Sequence, residues 1–175
     1  LYGVIGRRLI RSRDRGESWS FVGGLPRESG PLAFVGPQAL LQGGCGVWRS
    51  PDGGRSWSAV LPCRFGAGLD EAERTVSRLV VDPKTPSNVY ALAFEHGSHR
   101  SVALVYRSHD GGLTWRRLAY GTQAFGLAPS RPERLYLEKG GRILRSEDRG
   151  RTWQAKGDLA TQVLSFQVHP DDPDV

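Results

Sequence analysis

Four aspartates in this chain, Asp14, Asp52, Asp110 and Asp148, each follow a serine by two residues and precede a glycine by two and a tryptophan by five. The stretches are RSRDRGESW (Arg11 to Trp19), RSPDGGRSW (Arg49 to Trp57), RSHDGGLTW (Arg107 to Trp115) and RSEDRGRTW (Arg145 to Trp153). An acid beside a hydroxyl is the raw material of general base catalysis, and acids among glycines can hold a cation. Neither chemistry explains four copies in one small chain. The stretches also lack the alternating oxygen ligands and closing glutamate of a calcium loop. A turn explains them better. Asp and Ser side chains accept hydrogen bonds from nearby backbone N–H groups, and Gly16, Gly54, Gly112 and Gly150 supply positive φ.

Turns need strands to connect. The four aspartates are 38, 58 and 38 residues apart, a spacing that marks a repeat architecture. A second signal runs out of phase with them: PLAFVGP (31–37), SRLVVDP (77–83), AFGLAPS (124–130) and LSFQVHP (164–170). Each unit reads as four short strands, A to D. In the third these are expected at Ser77–Asp82, Val89–Glu95, Val102–Ser108 and Thr114–Tyr120, bounded by Gly, Pro and Asp. No stretch carries a helical period. The aspartate turn falls between C and D, and Trp19, Trp57, Trp115 and Trp153 open strand D, where a large ring can cover the turn.

The pattern S-x-D-x-G-x-[ST]-W after a strand, with Ser12, Ser50, Ser108 and Ser146 as its serines, resembles the Asp-box, or bacterial neuraminidase repeat. The resemblance covers nearly the whole chain. It implies an all-β fold, a β-propeller of four four-stranded blade equivalents, in a superfamily that includes sialidases, family 74 xyloglucan hydrolases, sortilin-type receptors and photosystem II assembly-factor-like proteins. The even short spacing resembles the last three branches more than the sialidases. Repeat units are expected at about 1–30, 31–76, 77–123 and 124–163 of a single domain, with 164–175 as strand A of a further or closing blade. Missing methionine and the family's usual blade number favour a segment of a larger propeller, with remaining blades as partners. A closed four-bladed ring is the alternative.

Composition sets further limits. Gly 23 and Pro 11 against 38% hydrophobic residues fit many short elements joined by turns. No apolar run is long enough to span a membrane as a helix. A formal charge of +6 raises the question of nucleic acid, but the basic residues are spread out and no recognised motif is present, so no nucleic-acid role is expected. Arg11, Arg49, Arg107 and Arg145 hold one place in the repeat, and most of the arginines read as solvated strand rims.

In an up-and-down blade the A–B and C–D loops share one face and the B–C and D–A loops the other. The 20 extra residues between Asp52 and Asp110 fall in the second D–A loop (62–75) and the third B–C loop (96–101), both on the face opposite the boxes. Irregular insertions on a rigid scaffold are where binding usually resides. That face offers Arg64, Asp70, Glu71, Glu73, Arg74, His96, His99 and Arg100 as candidate ligand-binding residues. His96 and His99 have no third ligand at a characteristic spacing, so neither a metal nor a cofactor is expected. Cys45 and Cys63 stand at the open end of the second C–D hairpin. A disulfide there is geometrically possible and fits an extracytoplasmic setting; the alternative is two unpaired residues in a reducing compartment.

A glycosidase needs two carboxylates flanking the scissile bond. Asp70, Glu71 and Glu73 come from a single loop and would need a partner such as Glu95. The Arg-Ile-Pro segment of sialidases is missing, and no catalytic residue carries over from the family. The expected function is a non-catalytic binding or scaffold module for a protein or glycan partner. The alternative is a family 74-like glycoside hydrolase, ahead of a sialidase. By resemblance the location is extracytoplasmic, periplasmic or secreted.

Overall fold

Runs of two to ten residues, rich in Val, Leu, Tyr and Phe and cut by Gly, Pro and Asp, form strands throughout the computed structural model. It describes residues 1–26, 30–65, 72–97, 101–159, 161, 163, 165 and 167–172. The first sheet has the order β1 (Tyr2–Ile5), β2 (Arg8–Arg11), β3 (Ser20–Gly24). The second runs β4 (Leu32–Phe34), β5 (Leu40–Gln42), β7 (Val47–Ser50), β8 (Ser58–Leu61), with the short β6 (Gly44–Cys45) between β5 and β7 in sequence. The third runs β13 (Arg116–Tyr120), β12 (Ser101–Ser108), β11 (Val89–His96), β10 (Ala72–Val81), β6, with β9 (Arg64–Phe65) also paired to β10. The fourth is β14 (Phe125–Leu127), β15 (Leu135–Lys139), β16 (Arg142–Ser146) and β17 (Gln154–Asp158). All these pairings are antiparallel, strands pair with their sequence neighbours except for β6, which crosses to β10, and these are propeller blades.

A register shift recurs where strand C meets strand D, at Leu9/Ile10, Val47/Trp48, Val105/Tyr106 and Ile143/Leu144. A bulge at one place in every blade increases the local twist alike in each, which keeps successive sheets stackable.

Stacking forms the core. One face of the third blade, with Val76, Ala91, Ala93, Leu104 and Tyr106, packs on Leu41, Val47 and Leu61 of the second. Its other face, with Tyr90, Leu92 and Val105, packs on Phe125, Leu135 and Leu137 of the fourth. Leu9 and Leu40 join the first two blades. Trp57, Trp115 and Trp153 sit half-buried at the edges of these three clusters.

Three expectations change. The third blade's strands A, B and C are longer than read from sequence, because Ala72–Val76, His96 and Ser101 extend the ladder: Arg74 pairs with Glu95 and His96 with Ser101. Strand D begins at Arg116 and not Thr114, since the Thr114 N–H is already committed to Asp110. The repeated arginines are not all solvated rims. Arg49 Nε donates to the Gly111 carbonyl at 3.0 Å and Arg107 Nη1 to the Arg149 carbonyl at 3.0 Å, each in the next blade's box. The end of strand C faces the following blade, so its side chain meets that blade's turn before it meets water. The strand expected over 164–170 lies partly outside the described residues.

Candidate functional site

The boxes come first because they hold the most regular polar chemistry. In the third, the Ser108 hydroxyl donates to Asp110 Oδ1 at 2.7 Å and accepts the Gly112 N–H at 2.8 Å. Asp110 Oδ1 also accepts the N–H groups of Leu113 and Thr114 at 3.0 and 2.9 Å, and Oδ2 accepts the Thr114 hydroxyl. Trp115 Nε1 donates to the Gly112 carbonyl at 3.1 Å, closing the ring over the turn. Ser12 with Asp14, Ser50 with Asp52 and Ser146 with Asp148 repeat the serine-aspartate clasp, the glycine N–H on the serine and the Ser18, Ser56 or Thr152 N–H on the aspartate.

Burial raises the Asp110 carboxyl, but the Thr114 hydroxyl and N–H and the Ser108 hydroxyl outweigh it and hold it at about 2. Asp14, Asp52 and Asp148 lie well below the usual carboxylate range, held by hydroxyl and N–H donors from Ser18, Ser56 and Thr152. Carboxylates so fully engaged are poor bases. Their chemistry is that of a turn clasp.

Gly54, Gly112 and Gly150 are held at φ of 96°, 83° and 83°. A Cβ at Gly112 would stand 2.6 Å from Leu41 of the preceding blade, and one at Gly150 would stand 2.8 Å from Leu118. The glycine thus serves both the turn and the packing of blade on blade.

On the opposite face the third blade rises above its neighbours. The end of β10 pairs with β11, β9 and β6, where Thr75 faces Cys45 and Val76 faces Gly44. Cys45 and Cys63 form a disulfide with Cα atoms 4.7 Å apart, tying the second blade to the base of this extension. Across it runs one polar row: Arg64 opposite Glu73, Glu73 opposite His96, and His96 opposite Ser101. Arg64 Nε and Glu73 Oε1 are 2.9 Å apart, with side chains 71% and 53% exposed. His96 Nδ1 lies 2.8 Å from Ser101 Oγ, and its ring is nearly parallel to that of Phe94, 6.5 Å away.

One row further down, the residues point inward. Arg74 Nη2 is 2.7 Å from Glu95 Oε1 and 3.0 Å from the Tyr106 hydroxyl, while Nη1 donates to the Pro62 carbonyl at 2.7 Å. Tyr106 donates in turn to Glu95. Burial, then the Glu95 hydrogen bond, pushes the Tyr106 hydroxyl up. Arg74 is buried, and its main chain is bonded to Cys63 and Gly46 as well.

Of the sequence candidates, the fold therefore brings Arg64, Glu73 and His96 into one exposed row and turns Arg74 into the blade junction. Asp70, Glu71, His99 and Arg100 lie outside the described residues. Glu95, Ser101 and Tyr106 join the cluster. Glu95 and Ser101 follow from the hairpin register, whereas Tyr106 carries no sequence signal, since its hydroxyl reaches Glu95 diagonally across the sheet. Among the described residues no group of three or more His, Cys, Asp and Glu is placed to hold a metal, and no helix is long and apolar enough to cross a membrane.

Four stacked antiparallel sheets, each with a serine-aspartate clasp in its C–D turn, have the architecture of β-propeller blades. Residues 106–117 match the model of the BNR/Asp-box repeat. The xyloglucanase Xgh74A of Acetivibrio thermocellus is 29% identical over 145 residues, which cover 69% of this chain and 17% of that enzyme. The chain thus spans under a fifth of the length of this relative. The crystal structure of an ancestral GH74 enzyme superposes with a TM-score of 0.63 at 17% identity, covering 85% of this chain and 21% of that one. The structure of YCF48 bound to D1 peptide gives a TM-score of 0.33 at 16% identity, covering 87% and 62%. The superposition on the ancestral enzyme speaks for the fold alone.

Proposed function

We propose that this chain is a non-catalytic propeller module that binds a glycan or protein partner through the raised end of its third blade. The observation that carries the reading is the exposed row Arg64, Glu73, His96 and Ser101, the last three on the longest strands among the described residues and Arg64 on the short β9 beside a disulfide. A sheet extension positions side chains more firmly than a loop does, which lowers the entropy lost on binding. Asp70, Glu71, His99 and Arg100 belong to the same proposal through their place in the two connecting segments. The disulfide supports an extracytoplasmic location, where such bonds persist.

The second reading is a glycoside hydrolase of the family 74 type, favoured by the similarity to a xyloglucanase. Against it, Glu73 is held by Arg64, and Glu95 is held by Arg74 and Tyr106, so neither carboxylate is presented as a free acid or nucleophile. Xyloglucan oligosaccharides separate the two readings. Binding by calorimetry that weakens in Arg64→Glu and His96→Ala, without release of new reducing ends, supports the binding module. Steady release of reducing ends establishes the hydrolase. No binding to these sugars or to other glycans on an array leaves a protein partner, to be sought by cross-linking from the raised end.

A further inference from the structure

The three blade junctions on the box face are not alike. At the second and third, the motif arginine of one blade, Arg49 or Arg107, is taken up by a carbonyl of the next blade's box. At the first, the equivalent Arg11 makes no such bond among the described residues. Its guanidinium lies over the Tyr2 ring instead, 5.4 Å from the centroid. A cleft of about 340 Å³ opens there, lined by Arg11, Arg13, Arg55, Tyr2, Phe21 and Gln38, with Asp52 at one side.

We propose that this cleft binds a carboxylate-bearing ligand, an assignment independent of the function proposed for the opposite face. Three arginines line it against one carboxylate, and among the described residues only the guanidinium of Arg55 makes a hydrogen bond there, to the Asp52 carbonyl at 3.4 Å. That carboxylate is already committed: Asp52 Oδ1 accepts from Ser50 Oγ at 2.8 Å and from the N–H groups of Arg55 and Ser56 at 3.0 and 2.9 Å, and Oδ2 accepts the Ser56 hydroxyl at 2.6 Å. Asp52 therefore has little left with which to pair the arginines. Arginine presents a planar fork that matches a carboxylate with two parallel hydrogen bonds. Tyr2 and Phe21 supply apolar wall for a short carbon skeleton, and a compact hydrated ion has no use for such walls. The same chemistry is offered by a small polycarboxylate and by an acidic peptide side chain.

Calorimetry on the 175-residue chain with citrate and with hexaglutamate, at about 0.15 M salt, tests the assignment. Saturable binding of either is expected, weakened about ten-fold in Arg13→Gln and in Arg55→Gln with the melting temperature unchanged. The exposed Arg117→Gln, on β13, should leave the affinity within about two-fold. Tighter binding of hexaglutamate assigns the ligand to a peptide, and tighter binding of citrate to a free acid. Absence of saturable binding to both, an equal loss in Arg117→Gln, or displacement of citrate by an equal concentration of inorganic sulfate overturns the proposal.

Discussion

Arg107, at the end of β12, donates from Nη1 to the main-chain carbonyl of Arg149 in the next blade, 3.0 Å away, while its Nη2 donates to Asn88 Oδ1 at 3.0 Å within its own blade. One side chain thus bonds two blades at once. Its guanidinium also stands 5.8 Å from the centroid of the buried Tyr90 ring, and burial lowers its pKa from the usual arginine value. Removing it leaves both acceptors short of a partner at a buried junction. Arg107→Ala should destabilise the fold by about 2–4 kcal/mol, and Arg11→Ala, which loses no such bond, by about 0.5 kcal/mol or less. Urea unfolding of the two variants checks this; equal losses would show that the bond between blades contributes nothing.

Two adjacent glycines separate turn strain from blade packing. Gly111 and Gly112 have φ of 69° and 83°, but a Cβ at Gly111 meets nothing within 4 Å while one at Gly112 runs into Leu41. Gly111→Ala should cost about 1 kcal/mol through backbone strain alone. Gly112→Ala should cost about 2–4 kcal/mol, because Leu41 must also shift in a packed interface. Thermal denaturation of both variants measures the difference.

Asp110 links the clasp to pH. Its folded pKa of about 2 lies below that of an unfolded aspartate, about 3.9. The ionised clasp therefore contributes its full stability above about pH 4 and loses it as pH falls toward 2. Asp110→Asn should remove the contribution of this one box to acid sensitivity. The gap in melting temperature between wild type and variant is expected to narrow from pH 6 to pH 2, and a gap independent of pH would refute the assignment.

Arg64 and Arg74 are both arginines paired with glutamates near the raised end, yet their environments differ. Arg64 is 71% exposed, so Arg64→Ala should change stability by about 0.5 kcal/mol or less. Arg74 is 7% exposed, and Arg74→Ala strands Glu95 in the blade junction at a cost of about 3–5 kcal/mol. Chemical denaturation distinguishes them, and a double variant with Glu95→Gln should recover part of the Arg74 loss.

Cys45 and Cys63 are separated by 18 residues, and closing a loop of that size removes about 3 kcal/mol of unfolded-chain entropy. The Cys45→Ser, Cys63→Ser double variant should be less stable by about that much. Reduction of the wild type by dithiothreitol should lower its melting temperature to match. No change on reduction would argue that the bond does not form in the protein.

What the sequence determined by itself was everything set by local chemistry and repetition. The serine, aspartate, glycine and tryptophan of each box bond to one another within a few residues, so the C–D turns, the strands around them and the propeller architecture were legible from spacing alone. The pairing of Cys45 with Cys63 was legible as an open possibility, because the two flank the open end of one hairpin. Tertiary structure decided how neighbouring blades meet. Arg49 and Arg107 look identical to Arg11 in sequence, and only the position of the next blade's turn commits the first two to carbonyls and turns the third over Tyr2. Likewise the inserted residues read as loops, since nothing local shows that β10 would find β6, β9 and β11 as partners at once. Long-range hydrogen bonding, which has no sequence period, drew Ala72–Val76 and His96 into the sheet and sent Arg74 inward while leaving Arg64 in solvent.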